Sequence, residues 1–103
     1  MDNYFIVAKG IIQSRADEAE CYGKNKIEEW AKDQYEAISS DVRAMAAFVT
    51  VLNHKCWYWF DKGNEELSKI YSDLYYKYND LEWNWLEAHG TSDEKSWYFD
   101  TLD

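Results

Sequence analysis

The chain contains no proline and only four glycines in 103 residues. Sandwiches and barrels need breakers of this kind every few residues, so their scarcity argues against a turn-rich β architecture and for helices. Histidine is scarcer still, with His54 and His89 the two copies. Neither stands three residues after a glutamate, as the di-metal carboxylate bundles require, and no His-Glu-x-x-His, Cys-x-x-Cys or calcium-loop pattern occurs. The isolated Gly10, Gly23, Gly63 and Gly90 cannot make a phosphate cradle, and no serine sits in a glycine-flanked elbow. His54 and Cys56 are two residues apart on a helical stretch, so they point to different faces and cannot act as base and nucleophile. No metal, cofactor or catalytic residue is expected, and the chain reads as a non-enzyme.

Long hydrophobic runs are missing too. The most apolar stretch, Ala44–Phe60, is interrupted by Asn53, His54 and Lys55. It falls short of the run of about 18 apolar residues that a membrane-spanning helix needs. Basic charge is also short: eleven lysines and arginines stand against twenty acids, for a net charge of −9. The imbalance has a place, because residues 1–60 hold nine acids and seven bases while residues 61–103 hold eleven acids and four bases. Such a chain is repelled by nucleic acid phosphates and anionic lipid and attracted to basic surfaces. The expected partner is therefore another protein with a basic surface, including one whose own work is to hold nucleic acid. Direct nucleic-acid or membrane binding is not expected. Two cysteines without metal spacing, Cys21 and Cys56, and no basic segment leading into an apolar one near the start point to a cytoplasmic protein.

Aromatic side chains are what the chain has in abundance. They make up 18% of it, with six tryptophans and nine tyrosines against four phenylalanines. Trp and Tyr carry a polar end, which suits half-buried positions and interfaces. A chain of this length makes one domain, residues 1–103, with a single core. The expected fold is all-α, a small helical bundle of three main helices plus a short C-terminal one.

Ala44–Phe60 is the expected centre. Met45, Phe48, Val49, Leu52, Cys56 and Trp59 share one face, while Ala47, Val51 and Tyr58 share the other; a helix apolar on all sides is surrounded by neighbours. The run Trp57-Tyr58-Trp59-Phe60 reads as the packed end of that surrounded helix, Cys56 as a small core residue, and His54 as a hydrogen-bonded core or boundary residue. Before it, Phe5, Ala8, Ile12, Ala16, Ala19 and Tyr22 recur at helical steps, although Tyr4–Val7 also suits a short strand. Gly10 weakens that helix, Ser14 offers a second start, and Asp2 or Asn3 a cap; Gly23 suits its end. Asn25 and Glu28 make a capping-box pair opening a helical pattern over residues 26–60, about 52 Å if unbroken. Ser39-Ser40-Asp41 is the place for a break, with Ser40 as cap.

Asp61–Asn64 is a turn with Gly63 in the left-handed position and Asn64 as the next cap. The helix 65–89 should run antiparallel to the central one, with a core stripe of Leu67, Tyr71, Leu74, Tyr78, Leu81 and Trp85. Gly90 ends it, and Thr91 with Glu94 forms a second capping pair for a last short helix through Trp97, Tyr98 and Leu102.

The helix 65–89 also carries the candidate partner-binding residues. Glu66, Asp73, Asp80 and Glu87 recur every seven residues as an acidic ridge beside the core stripe, about 10.5 Å apart. Tyr76 and Trp83 fall nearly opposite the stripe. Two large rings there require either cover by another helix of the chain, the N-terminal one being the candidate, or a partner, since Trp and Tyr dominate protein-binding patches. In size, acidity and aromatic content the chain resembles the small inhibitors carried by phages and mobile elements, among them anti-CRISPR and anti-restriction proteins that imitate the charge of DNA. That resemblance implies an inhibitor of a nucleic-acid-handling host system. The competing expectations are a homo-oligomeric helical module holding a small ligand between aromatic side chains, and a structural subunit.

Overall fold

The computed structural model describes residues 3–38 and 40–102, and for Leu102 the backbone only. These residues form five helices and no strand: α1 (Asn3–Glu20), α2 (Lys24–Ile38), α3 (Val42–Asp61), α4 (Glu65–His89) and α5 (Ser92–Leu102). The fold is the expected all-α bundle, with the pattern over 26–60 divided into two helices.

α1 is one helix throughout, so Tyr4–Val7 is not a strand and Ser14 is not a second start. Ile12, Ala16 and Ala19 are buried at helical spacing, and tertiary burial of that stripe outweighs the roughly 1 kcal/mol that Gly10 costs inside a helix. Of the two expected caps for α1, Asp2 lies outside the described residues. Gly23 adopts φ 94° and turns the chain, and its carbonyl accepts the Ile27 N–H at 3.1 Å. α2 thus begins two residues early, and Asn25 lies inside its first turn instead of capping it with Glu28.

The break between α2 and α3 falls where Ser39-Ser40-Asp41 suggested, but Asp41 is the cap. Its Oδ1 accepts the backbone N–H groups of Arg43 at 3.1 Å and Ala44 at 3.2 Å. A carboxylate gains from the positive helix end as well as from the hydrogen bonds, which a serine hydroxyl does not. Ser39 lies outside the described residues. Asp41 Oδ2 also accepts from the Tyr4 hydroxyl at 2.5 Å, tying the start of α1 to the start of α3.

α3 is the centre. Met45, Ala46, Ala47, Phe48, Val49 and Leu52 are fully buried on both sides of the helix, and α3 touches each of the other four helices, α4 most broadly and α1 next. Gly63 at φ 77° and the Asn64 side chain, which accepts from Leu67 N at 3.1 Å, make the turn into antiparallel α4. Thr91 and Glu94 form the expected reciprocal pair at the start of α5, at 3.1 and 2.9 Å.

One expectation for α4 fails in its second half. Leu67, Tyr71, Leu74 and Tyr78 face the core as the wheel placed them, with Leu67 partly covered. Leu81, however, is 40% exposed and Trp85 only half-buried, while Glu82 and Leu86 are fully buried. A strict seven-residue repeat drifts about 20° per heptad on a straight helix. α5 then docks on the side of Asn79, Glu82 and Trp83 through Tyr98, which moves the buried face towards them.

Candidate functional site

The last turns of α3 leave the bundle with their rings bare. Trp57 is 58% exposed, Tyr58 50% and Phe60 61%, so the aromatic run at 57–60 is not the packed helix end that its composition suggested; only Trp59 is half-buried. α1 reaches only the Trp59 side of that end, and no other described helix covers the Trp57 and Phe60 side, because the chain turns straight into α4 and α5 packs near the opposite end of α4. Three residues apart on α3, Trp57 and Phe60 meet edge to face with centroids 5.6 Å apart. Across from them on α4, Tyr75 and Tyr76 meet at 5.5 Å, and Tyr76 is 65% exposed.

These four rings line one groove of about 630 Å³ between α3 and α4. Its floor is polar and small. Cys56, half-buried instead of core, lies with its Sγ 3.7 Å from Ser68 Oγ, and the Ser68 hydroxyl donates to the Cys56 carbonyl at 3.0 Å. Glu65, Lys69 and Asp73 stand among the lining residues, with Lys69 and Asp73 paired at 3.0 Å on exposed side chains. A pair so exposed holds little energy and can be traded for a partner's charge. The volume suits a small ligand, but such sites cover most of their ligand's surface. Walls on which Trp57, Phe60 and Tyr76 are each more than half exposed suit the side chains of another macromolecule better.

The residues singled out on α4 divide. Glu66, Asp73, Asp80 and Glu87 are all exposed, so the ridge is real as a surface, and Asp73 joins it to the groove. Tyr76 belongs to the groove. Trp83 does not: it is half-buried, with its ring 6.3 Å from that of Tyr98, and it is covered by α5, not by the N-terminal helix. The two rings that the wheel paired therefore sit in different surroundings. His54 is exposed, not a core or boundary residue.

Two buried charge clusters escaped the sequence reading. Lys55 is buried on α3 and pairs with Glu20 of α1 at 2.8 Å and with Asp17. Glu20 Oε1 also accepts from the Tyr71 hydroxyl at 2.6 Å and Trp59 Nε1 at 3.1 Å, joining three helices at one carboxylate. Burial works to lower the Lys55 ammonium, but its bonds to Asp17 and Glu20 outweigh that and raise it. Burial also pushes the Tyr71 phenol far up, the Glu20 carboxylate adding to it. The signal was present: Lys55 lies three residues after Leu52 and four before Trp59, on the core stripe.

The second cluster lies under α5. Glu82 is fully buried, and the Tyr98 hydroxyl stands 3.0 Å from its Oε2 and 3.1 Å from Asn79 Oδ1. Burial raises the Glu82 carboxyl well above the ordinary carboxylate range, against the pull of the Tyr98 bond. One phenol proton cannot serve two acceptors. With Glu82 neutral, its own O–H donates to Tyr98 and Tyr98 donates to Asn79, which satisfies both contacts. Glu82 Oε1 has no hydrogen-bond partner among the described residues.

No group of three or more His, Cys, Asp or Glu side chains placed to hold a metal occurs among the described residues. No described helix is long and apolar enough to cross a membrane. Compared with family models, with curated proteins and with solved structures, the chain matches none of them.

Proposed function

We propose that this is a small acidic protein-binding protein whose contact surface is the α3–α4 groove together with the acidic ridge of α4. The observation that carries the reading is the bare rings of Trp57, Phe60 and Tyr76 meeting in one groove. Large rings in a contiguous patch are the anchors of protein interfaces, because each buries a large area at small conformational cost. The ridge supplies direction: four exposed carboxylates on a chain of net charge −9 steer a basic surface onto the groove.

In its sharpest form the proposal is an inhibitor of a nucleic-acid-handling host system, of the anti-CRISPR or anti-restriction kind, carried by a phage or mobile element. Magnitudes divide the labour within it. DNA carries one charge per about 1.7 Å of its axis, whereas the ridge offers one per about 10.5 Å. The ridge by itself is a thin imitation of DNA, so affinity comes from the rings and the charge sets approach and choice of partner.

The test is capture from cell lysate on immobilised protein, washed at low and at high salt, with wild type and the double variant Trp57→Ala, Tyr76→Ala. The expected result is a basic, nucleic-acid-binding protein retained by wild type, released by salt and not retained by the variant, whose helical signal is unchanged. Equal retention by the double variant would sink the groove reading. Retention indifferent to salt would sink the basic-surface reading.

A further inference from the structure

The first four turns of α1 carry no acid, a property shared with residues 42–60, which are mostly buried in the core. From Asn3 to Ala16 there is no carboxylate, and the two charges present, Lys9 and Arg15, are both positive. Both are engaged within the fold: Lys9 Nζ stands 5.7 Å over the Phe5 ring, and Arg15 Nη1 donates to Gln34 Oε1 at 3.3 Å. On this segment Tyr4 is 54% exposed, Val7 59% and Ile11 50%. Their spacing of three and four residues places them on one helix face, pointing away from the buried stripe of Ile12, Ala16 and Ala19. Gly10 lies beside that face, and a Cβ built on it would meet nothing within 4 Å. α1 thus shows an apolar strip to the outside that no other described helix covers.

We infer that this strip is where two copies of the chain meet, α1 against α1 about a two-fold axis. Charge selects the occupant. A basic partner is drawn to the acidic α4 and gains nothing from a strip without carboxylates. A second copy of a chain at −9 is repelled by most of the first copy's surface and least by this segment. A two-fold contact sets a patch against itself, which an apolar, carboxylate-free patch tolerates and an acidic one does not. The Asp41 carboxylate stands at the Tyr4 end, where the Tyr4 hydroxyl and two backbone N–H groups at the positive start of α3 offset part of its charge. From Tyr4 to Ser14 the strip is about 15 Å long, well short of the roughly 800 Å² per partner of a standard interface, so the dimer is weak and concentration-dependent. This inference does not depend on the groove.

Sedimentation equilibrium over a wide concentration range, at low and high salt, tests it. Wild type should rise from 12.3 kDa towards twice that mass with concentration, and more readily at high salt, where like charges are screened. The double variant Val7→Glu, Ile11→Glu should stay monomeric throughout with its helical signal intact. Val7→Ser, Ile11→Ser, which adds no charge, should be weakened in the same direction should the glutamates disturb folding. Trp57→Ala, Tyr76→Ala should dimerise like wild type. A wild type that stays monomeric at the highest concentration and salt overturns the inference, as does a glutamate variant that associates normally. A monomeric wild type that captures another protein through Val7 and Ile11 overturns it in favour of a different occupant.

Discussion

Glu82 is the residue on which the C-terminal half of the molecule turns. It is fully buried, burial raises its carboxyl well above the ordinary carboxylate range, and it sits in the hydrogen-bonded chain to Tyr98 and Asn79 that seats α5. In the unfolded chain this group ionises as pH rises past its ordinary value of 4.5, while the native one stays protonated. Stability is then lost with rising pH by up to about 1.4 kcal/mol per unit, until the native group ionises too. Urea unfolding across acid to neutral pH should show this slope in wild type and lack it in Glu82→Leu. The variant should be as stable as wild type or more so at neutral pH, since a buried ionisable group replaced by an apolar one of similar volume leaves no charge to desolvate. Lys55 makes the opposite case, a buried charge with full partnership. Lys55→Met leaves the partly buried Glu20 without its counter-charge and should cost about 3 kcal/mol in denaturant unfolding. Adding Glu20→Gln, which keeps an acceptor for Tyr71 and Trp59, should recover most of that loss. If the losses simply add, the pair is not coupled.

Among the elements, α3 is held by everything around it and its start is held by one residue. Asp41 caps α3 through two backbone bonds and receives the Tyr4 hydroxyl, so it joins α1, the α2–α3 turn and α3. Asp41→Ala should lower thermal stability by about 0.5–2 kcal/mol, while Asp41→Asn, a cap without the charge, should lose less. Equal losses would mean that the helix dipole contributes nothing there. α4 has the more divided part. Its first half pairs with α3 and leaves Tyr76 bare, and its second half is covered by α5 on the Trp83 side. A helix of 25 residues thus serves as core for one neighbour and as open surface for solvent and partners.

Over the whole molecule the charge distribution ties the two proposed contacts to opposite salt dependences. The groove lies beside exposed carboxylates and is expected to lose its basic partner as salt rises. The α1 strip lies in a segment without a carboxylate and is expected to bind its copy better under the same change. A single salt series on wild type, reading both capture and mass, separates them without any variant. The acidity concentrated in residues 61–103 puts most of the repulsion on α4 and α5, and the positive segment sits at the start of α1.

The scarcity of breakers, the three-and-four periodicity and the capping residues determined by themselves that the chain is helical, that the apolar stretch of α3 is central and that the chain turns at Gly23, Gly63 and Gly90; the break at Asp41 was only one of two options until the helices packed. These are local properties, set by backbone sterics and by side chains reaching their own helix ends, and a sequence carries them in full. Which faces those helices bury was decided only when they packed. The drift of a seven-residue repeat and the docking of α5 exposed Leu81, buried Glu82 and Leu86, and covered Trp83. The end of α3 emerged into solvent because no element was left to cover it, which turned Trp57 and Phe60 from expected core into the walls of a groove with Tyr76. Lys55, Glu20 and Tyr71 lie on three different helices, and only the tertiary structure brings them to one carboxylate.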